Sequence, residues 1–382
     1  MPETLFHNPD RRNSDSVKWN LYGDKVLPLW VADMDFTSPP EVIDALHERV
    51  RHGVFGYAAE SRILAELVVD RMQRLYAWKI KKEDVLLLPG VISGFNLVCQ
   101  AVTQPGESMI IQPPIYPPFF ETAKNARINE IRCGLIQQND GAYQVDFPAF
   151  ENALQPDTKC FLLCNPHNPV GKVYSKEELS RLAEICLARQ IIICADEIHS
   201  DLVFTGHEHV PIASLDKEIG KQVVTLIAPS KTFNIAGLDC AILICENKEL
   251  MEQIKAAKRG ILGGVNILGV TAGVAAYRYG QPWLEAMLKT LEANRNYLCR
   301  YVQENLPMIK VYPPQATYLA WLDCRQADLP GEPYEFFLQN AKVALNCGIN
   351  FGKEGEGFVR LNFGCNISVL QEALERMRQS MA

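Results

Sequence analysis

The chain has 382 residues, 48% of them hydrophobic and 22% charged, which suits a large α/β domain with a companion and excludes a disordered or fibrous protein. Its 38 basic and 45 acidic residues give a formal net charge of −7, and there is no long Lys/Arg run, so neither nucleic acid nor an anionic membrane surface is expected as the main partner. The start MPETLFHNPDRRNSDS has no apolar signal core and no stretch approaches about 18 uninterrupted apolar residues, so a soluble cytoplasmic protein with no membrane partner is expected.

In chain order, Ile63, Leu64, Leu67, Val68, Met72 and Leu75 share one helical face. Short apolar runs follow at 85–88, 109–111, 160–164, 191–195 and 223–227, and Cys240 and Cys245 flank another. Each stops at turn-forming or polar residues, and residues 91–102 have helical character. The runs are apolar throughout rather than alternating, as strands buried on both faces require, and such strands belong to parallel sheets covered by helices. Ser175-Lys176-Glu177-Glu178 reads as a capping box opening a helix whose apolar face is Leu179, Leu182, Ala183 and Cys186. From about Gln281 the texture changes: a helix over 283–302, strand-like pieces at 309–312, 318–322 and 358–363, and a last helix over 369–381. That pattern predicts a smaller α+β domain. The expected division is an arm at 1–45 joining the small domain, a large domain at 46–282 and the small domain at 283–382. The twelve cysteines lie scattered in apolar runs without a CxxC pair, which reads as buried reduced thiols, with no metal site.

Polar residues collect where the strands end: Pro89-Gly90, Asn165 with Asn168, Asp196 with His199, and Ser230-Lys231. Open α/β sheets bind ligands outside the carboxyl ends of their strands. Gly90-Val91-Ile92-Ser93-Gly94 marks a strand-to-helix turn whose free amides and helix dipole suit a phosphate. Lys231 follows a buried strand, where desolvation can depress its pKa and favour the neutral amine that makes a Schiff base.

Residues 228–238, APSKTFNIAGL, resemble the lysine motif of fold-type I pyridoxal-phosphate (PLP) enzymes. WVADMDF at 30–36, NPHNPVG at 165–171 and ADEIHSD at 195–201 narrow the resemblance to the MalY/PatB-like cystathionine β-lyases, or C–S lyases, of the class I/II aminotransferase superfamily. The resemblance implies a fold-type I α/β architecture, with a mostly parallel central sheet in the large domain, and pyridoxal 5'-phosphate as cofactor. It implies that Lys231 condenses with the cofactor aldehyde and later shuttles the Cα proton, while Asp196 faces the pyridine nitrogen and keeps it protonated. Asn168 would donate to the phenolate oxygen and Tyr116 would stack on the ring. The amides of Val91 and Ile92, with the Ser230 hydroxyl, would hold the phosphate. Tyr57 would reach in from the partner subunit of a homodimer. Arg360 would grip the substrate α-carboxylate, with Asn168 and Asp33 beside it.

Two positions depart from the aminotransferase pattern: His199 stands where a Tyr is usual, and Asp239 where many relatives carry a phosphate-binding Arg. Both favour the lyase subgroup. An anion would repel the phosphate, so Asp239 is expected to point elsewhere or to be bridged by another group. The resemblance implies a β-lyase acting on L-cystathionine or related L-cysteine S-conjugates. An aminotransferase and a PLP-binding regulatory protein are the alternatives.

Overall fold

A computed structural model describes residues 8–56, 58 and 62–382. The uniformly apolar runs form a seven-stranded sheet from β1 (Val85–Leu88), β2 (Ser108–Ile111), β3 (Asn129–Arg132), β4 (Thr158–Cys164), β5 (Ile192–Asp196), β6 (Val223–Ile227) and β7 (Ala241–Ile244), in the spatial order β1-β7-β6-β5-β4-β2-β3. The run β6-β5-β4-β2-β3 is parallel, while β7 is antiparallel to both of its neighbours. The sheet is therefore mostly parallel, in agreement with the expected fold class. An unbroken apolar run says that both faces are covered but not which way the chain travels, so the reversal of β7 was not visible beforehand.

Alternate residues serve alternate faces. Phe161, Leu163, Ile193 and Ala195 join the apolar cluster on one side, and Cys160, Leu162, Cys164 and Cys194 join the cluster on the other. The second cluster contains Val91, Phe95, Val98 and Cys99 from the helix Val91–Val102, which carries the turn after β1. All twelve cysteines are free, and all but Cys299 are buried. The capping box is in place: the amide of Glu178 donates to the Ser175 hydroxyl at 3.2 Å and the amide of Ser175 donates to the Glu178 carboxylate at 2.9 Å. The strand β3 has no apolar run. As the sheet edge its residues are exposed or half-buried, which removes the pressure for one. The expected apolar face of the helix Arg62–Tyr76 needs correction, since Leu64, Val68 and Met72 are buried but Ile63 and Leu75 are exposed, and Arg71 takes a buried place instead.

A second, four-stranded sheet comprises β8 (Lys310–Val311), β9 (Leu319–Asp323), β10 (Asn346–Cys347) and β11 (Phe358–Asn362), in the order β8-β9-β11-β10 and antiparallel throughout. It packs with the helices Gln281–Asn305 and Ile367–Ser380. The N-terminal segment reaches this region, where Leu27 and Pro28 pair in parallel with Val343 and Ala344. Among the described residues, no helix is long and apolar enough to cross a membrane.

The loop after β4 is tied to the segment before β9 at Gly171. Its carbonyl accepts from the amide of Gln315 at 2.8 Å, and its φ is +70°. A Cβ there would sit 2.4 Å from Pro314 Cβ. Gly171→Ala is expected to cost ~2–3 kcal/mol through left-handed strain and overpacking, read as a lower denaturant midpoint with unchanged slope.

Candidate active site

The carboxyl ends of β1, β4, β5 and β6 open onto a cavity of about 480 Å³, lined by Gly90, Val91, Ile92, Ser93, Tyr116, Cys164, Asn168, Asp196, His199, Ser230, Lys231 and Asp239 among others. Eight of the residues expected at the site from sequence, namely Val91, Ile92, Tyr116, Asn168, Asp196, His199, Ser230 and Lys231, are therefore in one place. Arg360 does not line the wall. It is joined to the lining residue Asn168, whose side-chain oxygen accepts from Arg360 Nη1 at 2.9 Å. Tyr57 lies outside the described residues. A second cavity, about 490 Å³, is bounded by residues 137–141, Tyr143, β8 and β9. It holds none of the expected residues, and its Asp323 and Arg325 neutralise each other at 2.6 Å.

Burial sets the proton affinities around the first cavity. Desolvation, helped by the Arg360 charge, lowers the Lys231 amine to about 8, against the opposing pull of Asp33 and Asp196. Desolvation likewise raises Asp196 to about 7, although the Ile198 amide donates to it at 3.1 Å and Lys231 favours its anion. His199 is pushed down to about 3 by burial and by the Lys231 and Arg360 charges, so it is neutral at physiological pH. Burial lowers even Arg360, to about 10. This guanidinium has no carboxylate partner among the described residues. Besides Asn168 it donates to the Trp30 carbonyl at 3.0 Å and to the Asn346 side-chain oxygen, and its Nε is unpartnered. The guanidinium also lies 4.9 Å from the centroid of the Phe351 ring, and a buried cation held by neutral groups alone is left uncommitted to a carboxylate and open to an anionic ligand.

Asp33 is placed differently from expectation. It is not among the residues lining the cavity, and its carboxylate pairs with Arg11 at 2.7 Å and with Lys18 at 3.5 Å, while its Oδ1 accepts no hydrogen bond. The same segment contributes through its backbone. Lys231 Nζ donates to the Ala32 carbonyl at 2.7 Å, and the Tyr318 hydroxyl donates to that oxygen at 2.8 Å. Neither Ala32 nor Tyr318 was expected from sequence, because a backbone oxygen leaves no residue signature and Tyr318 reads as part of an apolar strand. Cys164 was also missed as a wall residue. Its thiol is pushed up by burial and by Asp196, so it stays protonated. Behind the lysine, the Thr232 hydroxyl donates to Asp201 at 3.0 Å, and Asp201 pairs with the buried Arg71.

These residues fit a PLP cofactor. The first amides of the helix Val91–Val102 have no intrahelical acceptor and lie on the cavity with Ser93 and Ser230, which suits a phosphate. Asp239 lines the same cavity, in a left-handed conformation with φ 49°, and no Arg lies among the wall residues. Amides, hydroxyls and the helix dipole are therefore what this wall offers an anion, and Asp239, an exposed residue, stands at its rim. The unpartnered Nδ1 of buried His199 lies on the same wall. Among the described residues, no cluster of His, Cys, Asp and Glu is arranged to hold a metal ion.

Residues 24–377 match the family model of aminotransferase class I and II. Cystathionine β-lyase PatB of Bacillus subtilis is 40% identical, with 98% of each chain covered. Cystalysin from Treponema denticola, solved with pyridoxal 5'-phosphate, superposes with a TM-score of 0.95 at 32% identity, covering 100% of this chain and 99% of that one. A PLP-bound C–S lyase from Staphylococcus hominis gives a TM-score of 0.93 at 28% identity, covering 100% and 99%.

Asp196 has a stability consequence in the cofactor-free protein. Its folded pKa is about 7 against an ordinary 3.8, so the folded state holds a proton that the unfolded state has released, and stability falls as pH rises between those values. Asp196→Asn is expected to melt higher than the parent at pH 7–8, with the two converging toward pH 4, as read by scanning calorimetry.

Proposed function

The chain belongs to the aminotransferase class I and II family, and within it we propose a PLP-dependent carbon–sulfur β-lyase that cleaves L-cystathionine or related L-cysteine S-conjugates to a thiol, pyruvate and ammonia. The observation that carries this reading is the pairing of a buried guanidinium lacking a carboxylate partner with an amine lowered to about 8. An α-amino acid presents a carboxylate for the guanidinium and a Cα proton, acidified only through the bound cofactor, for the amine.

Lys231 is the proposed covalent attachment point for the cofactor and Asp196 the anion at its ring nitrogen. When bound, the cofactor supplies an electron sink for the charge released at Cα. Arg360 binds the α-carboxylate, its guanidinium oriented by the hydrogen bond to Asn168. The neutral amine of Lys231 takes the Cα proton, so turnover is expected to rise with pH as that amine deprotonates. Thiolate is a competent leaving group, which leaves the protein mainly to orient, to move this proton and to exclude water. His199, neutral and buried, is proposed as a hydrogen-bonding partner for the cofactor rather than a charge. The proposed phosphate ligands are the Val91 and Ile92 amides with Ser230, and Tyr116 is the proposed stacking partner.

The division into an arm at 1–45, a large domain at 46–282 and a small domain at 283–382 belongs to the same proposal. So does a homodimer with shared sites, in which Tyr57 crosses from the neighbour. Val54 and Phe55, near it in sequence, are 61% and 57% exposed, and Ile92 on the cavity wall is 44% exposed. Apolar surface of this kind suits a subunit contact. A cytoplasmic location is proposed from the twelve free cysteines.

Incubation with L-cystathionine and no keto acid is expected to give sustained release of pyruvate, ammonia and thiol. A single turnover that halts with the cofactor converted to its amine form would establish the aminotransferase instead. Arg360→Ala is expected to lower kcat/KM by roughly a hundredfold or more, mainly through KM, because it removes charge-assisted hydrogen bonds to the substrate. Steady-state kinetics on the conjugate series checks this.

A further inference from the structure

One backbone oxygen, that of Ala32, accepts from both the Lys231 amine and the Tyr318 hydroxyl, at 2.7 and 2.8 Å. A carbonyl has two lone pairs, so these donors fill it. The peptide is held on both sides as well. The side-chain amide of Asn362 donates to the Val31 and Asp33 carbonyls, its own oxygen accepts from the Gly364 amide at 2.7 Å, and Arg360 holds the Trp30 carbonyl. Tyr318 is 1% exposed, and burial pushes its phenol far up, so it remains a donor throughout the working range. Its ring meets His199 edge-on, with centroids 6.2 Å apart.

We propose that Tyr318 is a positioning residue for Lys231: its hydroxyl fixes the Ala32 carbonyl as the resting place of the amine whenever the amine is not joined to the cofactor, and by occupying one lone pair it limits how tightly that carbonyl holds the ammonium. The inference deepens the β-lyase reading, in which Lys231 alternates between attachment and proton transfer. An amine that must take up and give back a proton needs an acceptor that orients it without trapping it in the charged form. Other groups face the amine too. Asp196 at the end of β5 and Asp33 in the N-terminal segment favour its cation, Arg360 on β11 opposes it, and His199 is neutral. Tyr318 differs from these in acting through a shared acceptor rather than through charge.

The test is Tyr318→Phe, which keeps the buried ring and removes the hydroxyl, assayed as holoenzyme with L-cystathionine. Expected are a roughly tenfold fall in kcat, KM within about twofold of the parent, and an upward move of the acidic limb of the kcat–pH profile by about half to one unit. The visible absorbance of the resting holoenzyme, in which the lysine is tied to the cofactor, is expected to keep the parent's pH dependence. An independent reading comes from the cofactor-free protein, where labelling of Lys231 by an amine-reactive reagent, followed by peptide mass spectrometry, should shift to higher pH in the variant. A lower kcat with an unmoved acidic limb and unmoved labelling profile would mean a merely structural tyrosine and would overturn the proposal, as would an unchanged kcat. If the parent releases no pyruvate from any conjugate, the β-lyase reading fails, and the labelling experiment still decides the role of Tyr318.

Discussion

Three ionisable groups that prefer water, buried Asp196 and Arg360 and half-buried Lys231, are gathered at or beside one cavity, and none forms an ion pair among the described residues. Desolvation is the largest influence on each, and each shifts toward neutrality. A protein selected for stability alone would pair or remove such groups. Here the apolar mass of the sheet and the helices packed on it carries the cost, and the reward is an amine that can be neutral near physiological pH and a guanidinium uncommitted to a carboxylate.

The element that makes this tolerable has no regular secondary structure over residues 30–34. Its carbonyls, which a strand or helix would satisfy locally, are satisfied by side chains from elsewhere. Trp30 accepts from Arg360, Val31 and Asp33 from Asn362, Ala32 from Lys231 and Tyr318, and Met34 from Asn234 at 2.9 Å. The acidic side chains of the segment hold it from the opposite side, Asp33 and Asp35 both pairing with Arg11 and Lys18. The segment thus joins the lysine-bearing turn after β6 to the arginine-bearing strand β11. Departing from helix and strand is what frees its oxygens to hold the Lys231 amine and the Arg360 guanidinium.

The wall at the start of the helix Val91–Val102 follows a different logic. With Asp239 among the lining residues and no Arg there, what it offers an anion is backbone amides, hydroxyls and the helix dipole. Such a site relies on geometry, because amides fixed at a helix start cannot follow a ligand as a flexible cation can.

Strands buried on both faces, the helix start after β1, the lysine turn after β6 and the carboxylate at the end of β5 were legible in the sequence, because each leaves a local pattern of hydrophobicity or turn residues. Leu64, Val68 and Met72 were legible as a helix face, whereas the exposure of Ile63 and Leu75 was not. The edge strand β3 and the reversed β7 were hidden, since strand direction and edge position are decided by neighbours. That Asp33 pairs with Arg11 and Lys18 was not legible, because those partners lie 22 and 15 positions away and are brought to it only by the fold. Ala32 and Tyr318 were invisible too, an apolar residue acting through its carbonyl and a tyrosine just before β9 reaching a residue 286 positions away. By itself the sequence determined the fold class, the family and most of the side chains that line the cavity's polar wall, since burial patterns and turn chemistry are written in neighbouring residues. Which of those side chains keep their charge free, and which backbone oxygens hold them, was decided by the tertiary structure alone, because desolvation and hydrogen-bond pairing depend on distances between segments that the chain order does not record.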